Sequence, residues 1–158
     1  MSSGGWLKGR RHFSRGIKKA SGGQYEEALH EFEKARECHP KLRNVDSCLG
    51  EVYIQLGRNR PAEEHLKAAL DGDPTNPVVL HYLGRLARDR RNFKAAADFQ
   101  QRALAQDPVY AEASLELGRS HLALGDRAAA VSAFERCARL EPDVAESRLA
   151  EFAKERGS

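Results

Sequence analysis

The sequence predicts an all-α solenoid made of four helix pairs and a C-terminal capping helix. A Leu-Gly pair returns every 34 residues, at Leu49, Leu83 and Leu117. Within a repeat, apolar residues such as Leu49, Val52 and Leu56 recur at three- and four-residue spacing, which is typical of one face of a helix. Self-similarity at such a period indicates stacked repeats that share a continuous core.

The 34-residue period divides the chain into four units with a segment at either end. We expect residues 1–8 to form a flexible basic segment or an expression remnant, and residues 145–158 to form the capping helix and tail. The predicted units are residues 9–42, 43–76, 77–110 and 111–144.

Each unit is predicted to hold two helices of about 14 residues joined by a tight turn. Gly23, Gly57 and Gly125 stand in these turns, and glycine readily adopts the left-handed conformation that ends a helix. A proline ends the second helix of every unit or opens the next helix, because proline has no N–H to donate to the helix ladder. These prolines are Pro40, Pro74, Pro108 and Pro142.

Small residues at fixed positions predict where the two helices of a unit cross. Helices reach the short end of the usual spacing of roughly 8–10 Å only where the side chains at the crossing are small. The expected pairs are Gly50 with Ala62, Gly84 with Ala96, and Gly118 with Ala130.

This pattern resembles the tetratricopeptide repeat (TPR) family over about residues 9–144. The matching positions are Leu49, Gly50, Tyr53, Ala62 and Pro74, then Leu83, Gly84, Ala96 and Pro108, then Leu117, Gly118, Ala130 and Pro142. The resemblance implies a right-handed stack of four TPR helix pairs. It is specific for the fold and much less specific for the function.

The first, third and fourth units depart locally from the family pattern. Arg15 and Lys19 replace apolar residues of the first unit, and Gln100 replaces the large apolar residue of the third. Cys137 replaces a small alanine in the fourth unit.

Composition and cysteine usage favour a cytoplasmic protein. Apolar residues make up 41% of the chain, and no apolar run approaches the roughly 18 residues needed to cross a bilayer. The N-terminus lacks the apolar stretch and cleavage site of a signal peptide. Cys38, Cys48 and Cys137 are odd in number and far apart, which predicts reduced thiols.

The sequence offers no motif for catalysis or cofactor binding. It has no glycine-rich phosphate loop and no nucleophile elbow. No two of the six histidines are three or four residues apart, as a metal site on one helix would need. We therefore expect no enzyme activity, no cofactor and no metal.

The resemblance also implies that the first helix of each unit lines a concave groove. The groove residues implied in this way are Asn44, Ser47, Glu51 and Gln55, then His81, Tyr82, Arg85 and Arg88, then Glu112, Glu116 and Arg119. Two interpretations stay open for the arginines. They could bind a carboxylate or an acidic peptide, or they could pair with the groove's own glutamates and form a mixed-charge surface of little energetic value.

The function that follows is that of a non-enzymatic adaptor or scaffold, which binds a peptide segment or a partner protein in its groove. A self-assembling scaffold, a homo-oligomer joined through its terminal edges, is the alternative. The lysine-and-asparagine clamp that some relatives use for chaperone tails is absent. The residues at the clamp positions are Phe13, Ile17, Cys48, Val78 and Tyr82.

The start of the chain is strongly basic. Six positive charges precede the first acid, Glu26, and aromatic residues lie among them. Such a run could contact nucleic acid or an anionic membrane, but it also fits a solvated helix face. The favoured partner is a protein or peptide rather than a nucleic acid or a membrane.

Overall fold

The fold is entirely helical over the described part of the chain. The structure, a computed structural model, describes residues 3–143, and every regular element in that range is an α-helix. The predicted all-α repeat fold is therefore confirmed, whereas the predicted capping helix at 145–158 lies outside the described residues. The helices are α1 (Ser3–Ser21), α2 (Tyr25–Cys38), α3 (Val45–Gln55), α4 (Asn59–Gly72), α5 (Pro77–Asp89), α6 (Phe93–Gln106), α7 (Ala111–Ala123) and α8 (Arg127–Leu140).

The eight helices of residues 3–143 form two compact units, and each of these units spans two of the 34-residue repeats. The first unit contains α1–α4 and the second unit contains α5–α8. In the first unit α1 packs on α2, α2 on α3, and α3 on α4. In the second unit α5 packs on α6 and α7 on α8, while α7 also contacts α5 and α6. One expectation is wrong, because α1 begins at Ser3 and residues 3–8 are helical rather than a flexible segment.

The turns inside the helix pairs adopt the predicted left-handed conformation. Gly23, Gly57 and Gly125 have φ angles of 74°, 71° and 82°. The residue after each glycine donates its N–H to a carbonyl five residues back, as Arg58 does to Tyr53 at 2.8 Å. These bonds satisfy carbonyls that the helix end would otherwise leave without a partner.

The third turn places Arg91, not a glycine, in the left-handed region, with φ 62°. This conformation costs a residue with a Cβ roughly 1–2 kcal/mol. A glycine would avoid that cost, but it loses more backbone entropy on folding, which offsets part of the gain. We expect Arg91→Gly to raise the free energy of unfolding by about 0.5–1 kcal/mol. Urea denaturation followed by circular dichroism measures this gain. The reverse change at the matching turn, Gly57→Arg, should lower the free energy of unfolding. Changes of the same sign at the two sites would contradict the explanation.

The second helices end as the prolines predict. Each of them stops two residues before its proline, as α4 does at Gly72 before Pro74. The residue between the two donates its N–H to a small buried or half-buried position of the same helix, for example Asp73 to the carbonyl of Ala69 at 3.0 Å.

The helix crossings differ from the predicted glycine–alanine pairs. A Cβ added to Gly50 would lie 2.5 Å from Leu66 Cγ, and one added to Gly118 would lie 2.5 Å from Phe134 Cε1. In the second repeat the predicted alanine is close as well, since the carbonyl oxygen of Ala62 lies 3.3 Å away. Each glycine therefore makes room for the large side chain 16 residues further on.

Candidate partner-binding site

The predicted groove residues of the first unit lie on α3 or just before it. Asn44 adopts a left-handed conformation, and its carbonyl oxygen accepts a hydrogen bond of 2.9 Å from the Ser47 hydroxyl. Asn44, Glu51 and Gln55 are exposed, and Ser47 is half-buried. The hydrogen bond between Asn44 and Ser47 lies at the start of α3. Glu51 and Gln55 are then the remaining polar groups of this surface.

Glu51 and Gln55 border a cavity of about 210 Å³ between α1, α2 and α3. Its other walls are mostly apolar and include Ile17, Tyr25 and Phe32. Cys48 also lines it, and burial raises the pKa of this thiol to about 11. The thiol is therefore protonated at neutral pH and is not a nucleophile.

In the second unit, His81 does not face a groove, which corrects the sequence-based assignment. The residue is 5% exposed, and its Nδ1 lies 3.1 Å from Oε1 of the fully buried Gln100. The Gln100 amide donates in turn to the His81 carbonyl oxygen at 3.0 Å. Burial lowers the pKa of His81, so the ring is neutral at neutral pH.

Glu116 is also withdrawn from the surface, at 7% exposure, and two arginines hold it. Its Oε1 accepts a hydrogen bond of 2.8 Å from Arg119 Nη1, and its Oε2 lies 2.8 Å from Arg88 Nε. The second contact is an ion pair without hydrogen-bond alignment. Arg88 comes from α5 and Glu116 from α7, so this buried cluster joins the two helices. Pairing with Glu116 thus occupies Arg88 and Arg119, two of the three groove arginines.

Arg85 differs from the other two arginines. Its guanidinium lies over the Tyr82 ring, 5.7 Å from the ring centroid, and it forms no ion pair within residues 3–143. Glu112 is exposed on the neighbouring helix α7. Arg85 is thus the arginine of the predicted groove whose charge is not matched by a carboxylate of the described chain.

Two residues of this region were not among the predicted groove residues. Tyr110, just before α7, places its ring 4.9 Å from the His81 ring and completes an aromatic cluster with Tyr82. Its position in a connecting segment, outside the first helices, gave no signal. Gln100 did give one, because it is polar at a position where the other repeats carry Phe32, Leu66 and Phe134.

The surroundings of Cys137, like those of Cys48, do not activate the thiol. Burial raises the pKa of Cys137, so this thiol too is protonated at neutral pH. Within residues 3–143, no three His, Cys, Asp or Glu side chains are grouped closely enough to hold a metal ion. No helix in that range is both long and apolar enough to cross a membrane.

The comparisons with known proteins agree with the repeat pattern. Two profiles described as "Tetratricopeptide repeat" match residues 48–111 and 111–144. Anaphase-promoting complex subunit 3 of Schizosaccharomyces pombe is 29% identical over 122 residues, which are 77% of this chain but 18% of that protein.

Two solved structures illustrate the likeness of fold. The crystal structure of MamA has a TM-score of 0.71 and 29% identity, and the match covers 80% of this chain and 74% of MamA. A thermophilic TPR protein of Thermus thermophilus has a TM-score of 0.79 and 23% identity, with 94% of this chain and 83% of that one covered. At that lower identity the likeness shows the fold alone.

Proposed function

The chain belongs to the tetratricopeptide repeat family, and we propose that it is a non-enzymatic scaffold that binds a carboxylate-bearing segment of a partner protein. The binding site is the α5–α7 surface of the second unit, which we define as Tyr82, Arg85, Glu112 and Arg119. The proposal depends mainly on one observation: the Arg85 guanidinium lies over the Tyr82 ring and has no ion-pair partner in residues 3–143. Support for a scaffold role also comes from a relative that is, by its name, a subunit of a complex.

The surroundings of Arg85 explain why a partner's carboxylate would bind there. Glu116 is the buried acid among the predicted groove residues. Its carboxylate already pairs with Arg88 and Arg119, so it is not available to Arg85. The contact with Tyr82 limits the motion of the guanidinium, so less side-chain entropy is lost when a ligand binds. A guanidinium can then donate two parallel hydrogen bonds to one carboxylate.

The buried cluster gives this surface a fixed base. Arg88, Glu116 and Arg119 connect α5 to α7, so the helices that carry Arg85 and Glu112 are held at a defined spacing. Glu112 contributes a negative charge at the border, which favours a ligand with an amide or a cation beside its carboxylate. The expected ligand is therefore a mixed segment with at least one acidic residue, rather than a uniform run of acids.

We expect Arg85→Glu to weaken binding of a fluorescein-labelled peptide of alternating glutamate and serine by about 10- to 100-fold, the value of a charge-assisted hydrogen bond. Fluorescence anisotropy measures the affinity, and a lysine–serine peptide tests the sign of the charge. Arg119 is left unchanged because its loss would leave Glu116 buried with one partner fewer.

The chain offers a matched control for this substitution in Arg102, on the neighbouring helix α6. Its guanidinium lies over the Phe99 ring at 5.5 Å, much as Arg85 lies over Tyr82, but it also pairs with Asp98 at 3.9 Å. Arg102→Glu makes the same change of charge and should leave the affinity near that of the parent. Equal loss in both variants, or none in Arg85→Glu, would rule out the α5–α7 surface as the binding site.

A further inference from the structure

Helix α1 presents a surface of cations and large apolar side chains that the packing of the first unit does not use. We define the α1 surface as Trp6, Leu7, Arg10, Arg11, Arg15 and Lys18, all of them exposed. Their spacing of three, four or seven residues places most of them along one side of the helix. Trp6 is 44% exposed and Leu7 is 54% exposed, so the helix presents two adjacent large apolar side chains to solvent beside its cations.

The opposite side of α1 already packs on α2. A Cβ on Gly9 would lie 3.1 Å from His39 Cβ, and one on Gly16 would lie 2.5 Å from the Phe32 ring. The Phe13 ring lies 5.7 Å from the Phe32 ring. Because this contact holds the helix in place, the α1 surface can bind a ligand without any unfolding.

The cations of the α1 surface form no ion pair within residues 3–143, although Arg15 lies close enough to Glu31 to help lower the pKa of that carboxyl. Two other basic residues of the helix do pair with α2, since His12 contacts Glu31 at 2.7 Å and Lys19 contacts Glu27 at 2.5 Å. The Arg10 guanidinium instead lies over the Trp6 ring, 5.0 Å from its centroid. Residues 3–21 contain no acid, so nothing on the helix itself reduces the positive charge of this side.

We propose that the α1 surface docks on an anionic lipid membrane. Lipid phosphates attract the four cations, while Trp6 and Leu7 enter the boundary between head groups and acyl chains. Nucleic acid would match the cations equally well but would leave Leu7 in water. A lipid interface is the ligand that satisfies both kinds of side chain on the same side of the helix. This inference does not depend on the α5–α7 surface.

Trp6 provides a direct test because it is the single tryptophan of the chain. With vesicles of phosphatidylcholine and phosphatidylserine we expect a blue shift of its fluorescence together with co-sedimentation of the protein, and neither with phosphatidylcholine alone. Arg11→Gln with Arg15→Gln should weaken binding roughly 25-fold, at about 5-fold for each cation lost. A Leu7→Ser variant should weaken it through the loss of apolar insertion.

The control variant removes two cations elsewhere, Arg43→Gln with Lys94→Gln, which are exposed and form no ion pair in residues 3–143. It should bind vesicles like the parent. Equal weakening in the control and the α1 variant would overturn the proposal, since attraction would then depend on total charge. Binding to a DNA duplex without binding to anionic vesicles, or an absence of any blue shift, would overturn it as well.

Discussion

Phe32→Ala is expected to lower the free energy of unfolding by about 3–5 kcal/mol, the usual cost of truncating a buried aromatic residue. The ring is fully buried between α1 and α2, and it fills the space that Gly16 leaves free. The alanine variant would leave a cavity that these helices cannot close, because the contact of Phe13 with the ring is lost at the same time. Urea denaturation followed by circular dichroism measures the loss.

The control for this truncation is Val109→Ala, at a valine that is 69% exposed. It should change the free energy of unfolding by less than about 0.5 kcal/mol. A similar small change for Phe32→Ala would mean that the ring does not hold α1 on α2, and the packing described for the first unit would be wrong.

Gly84→Leu is expected to destabilise the second unit by about 2–5 kcal/mol, from overpacking together with the loss of buried hydrogen bonds. A Cβ at Gly84 would lie 2.5 Å from Nε2 of Gln100. The Gln100 amide would then have to move, and its bonds to the carbonyl and the ring of His81 would break. Denaturation monitored by circular dichroism gives the change.

Gly72→Leu is the matched control for this prediction. Gly72 also belongs to a helix, but a Cβ added there meets nothing within 4 Å. Its replacement should leave the protein as stable as the parent or slightly more so, because leucine is a better helix former than glycine. Comparable destabilisation at both glycines would show that the space at the crossing does not decide the cost, because helix propensity favours leucine at either position.

The features that sequence reasoning predicted well depend on local backbone geometry. The left-handed turn at residue 57 favours glycine, which has no Cβ to clash. Pro74 follows the end of α4, where the missing N–H of proline costs no helical hydrogen bond. Such residues have few structural alternatives, so their recurrence at a fixed period is informative. Arg91 shows the limit, since nothing in its chemistry indicates a left-handed turn and only its place in the repeat does.

The features that it missed depend on which side chains meet across helices. The spacing indicates that Gly84 lies at a crossing, but it does not reveal that Gln100 rather than Ala96 occupies the space. Once Gln100 is buried, its amide needs a partner, and His81 is drawn into the core to supply one. Glu116 is likewise buried with its charge paired by Arg88 and Arg119. The groove residues chosen by repeat position alone therefore included residues that are not exposed.

The measurement that tests the scaffold proposal most directly is an NMR titration of the arginine Nε–H groups with the glutamate–serine peptide. We expect the largest shift at Arg85, a smaller one at Arg119 and none at Arg102. Shifts of similar size at all three arginines, or the largest shift at Arg102, would contradict a binding site between α5 and α7.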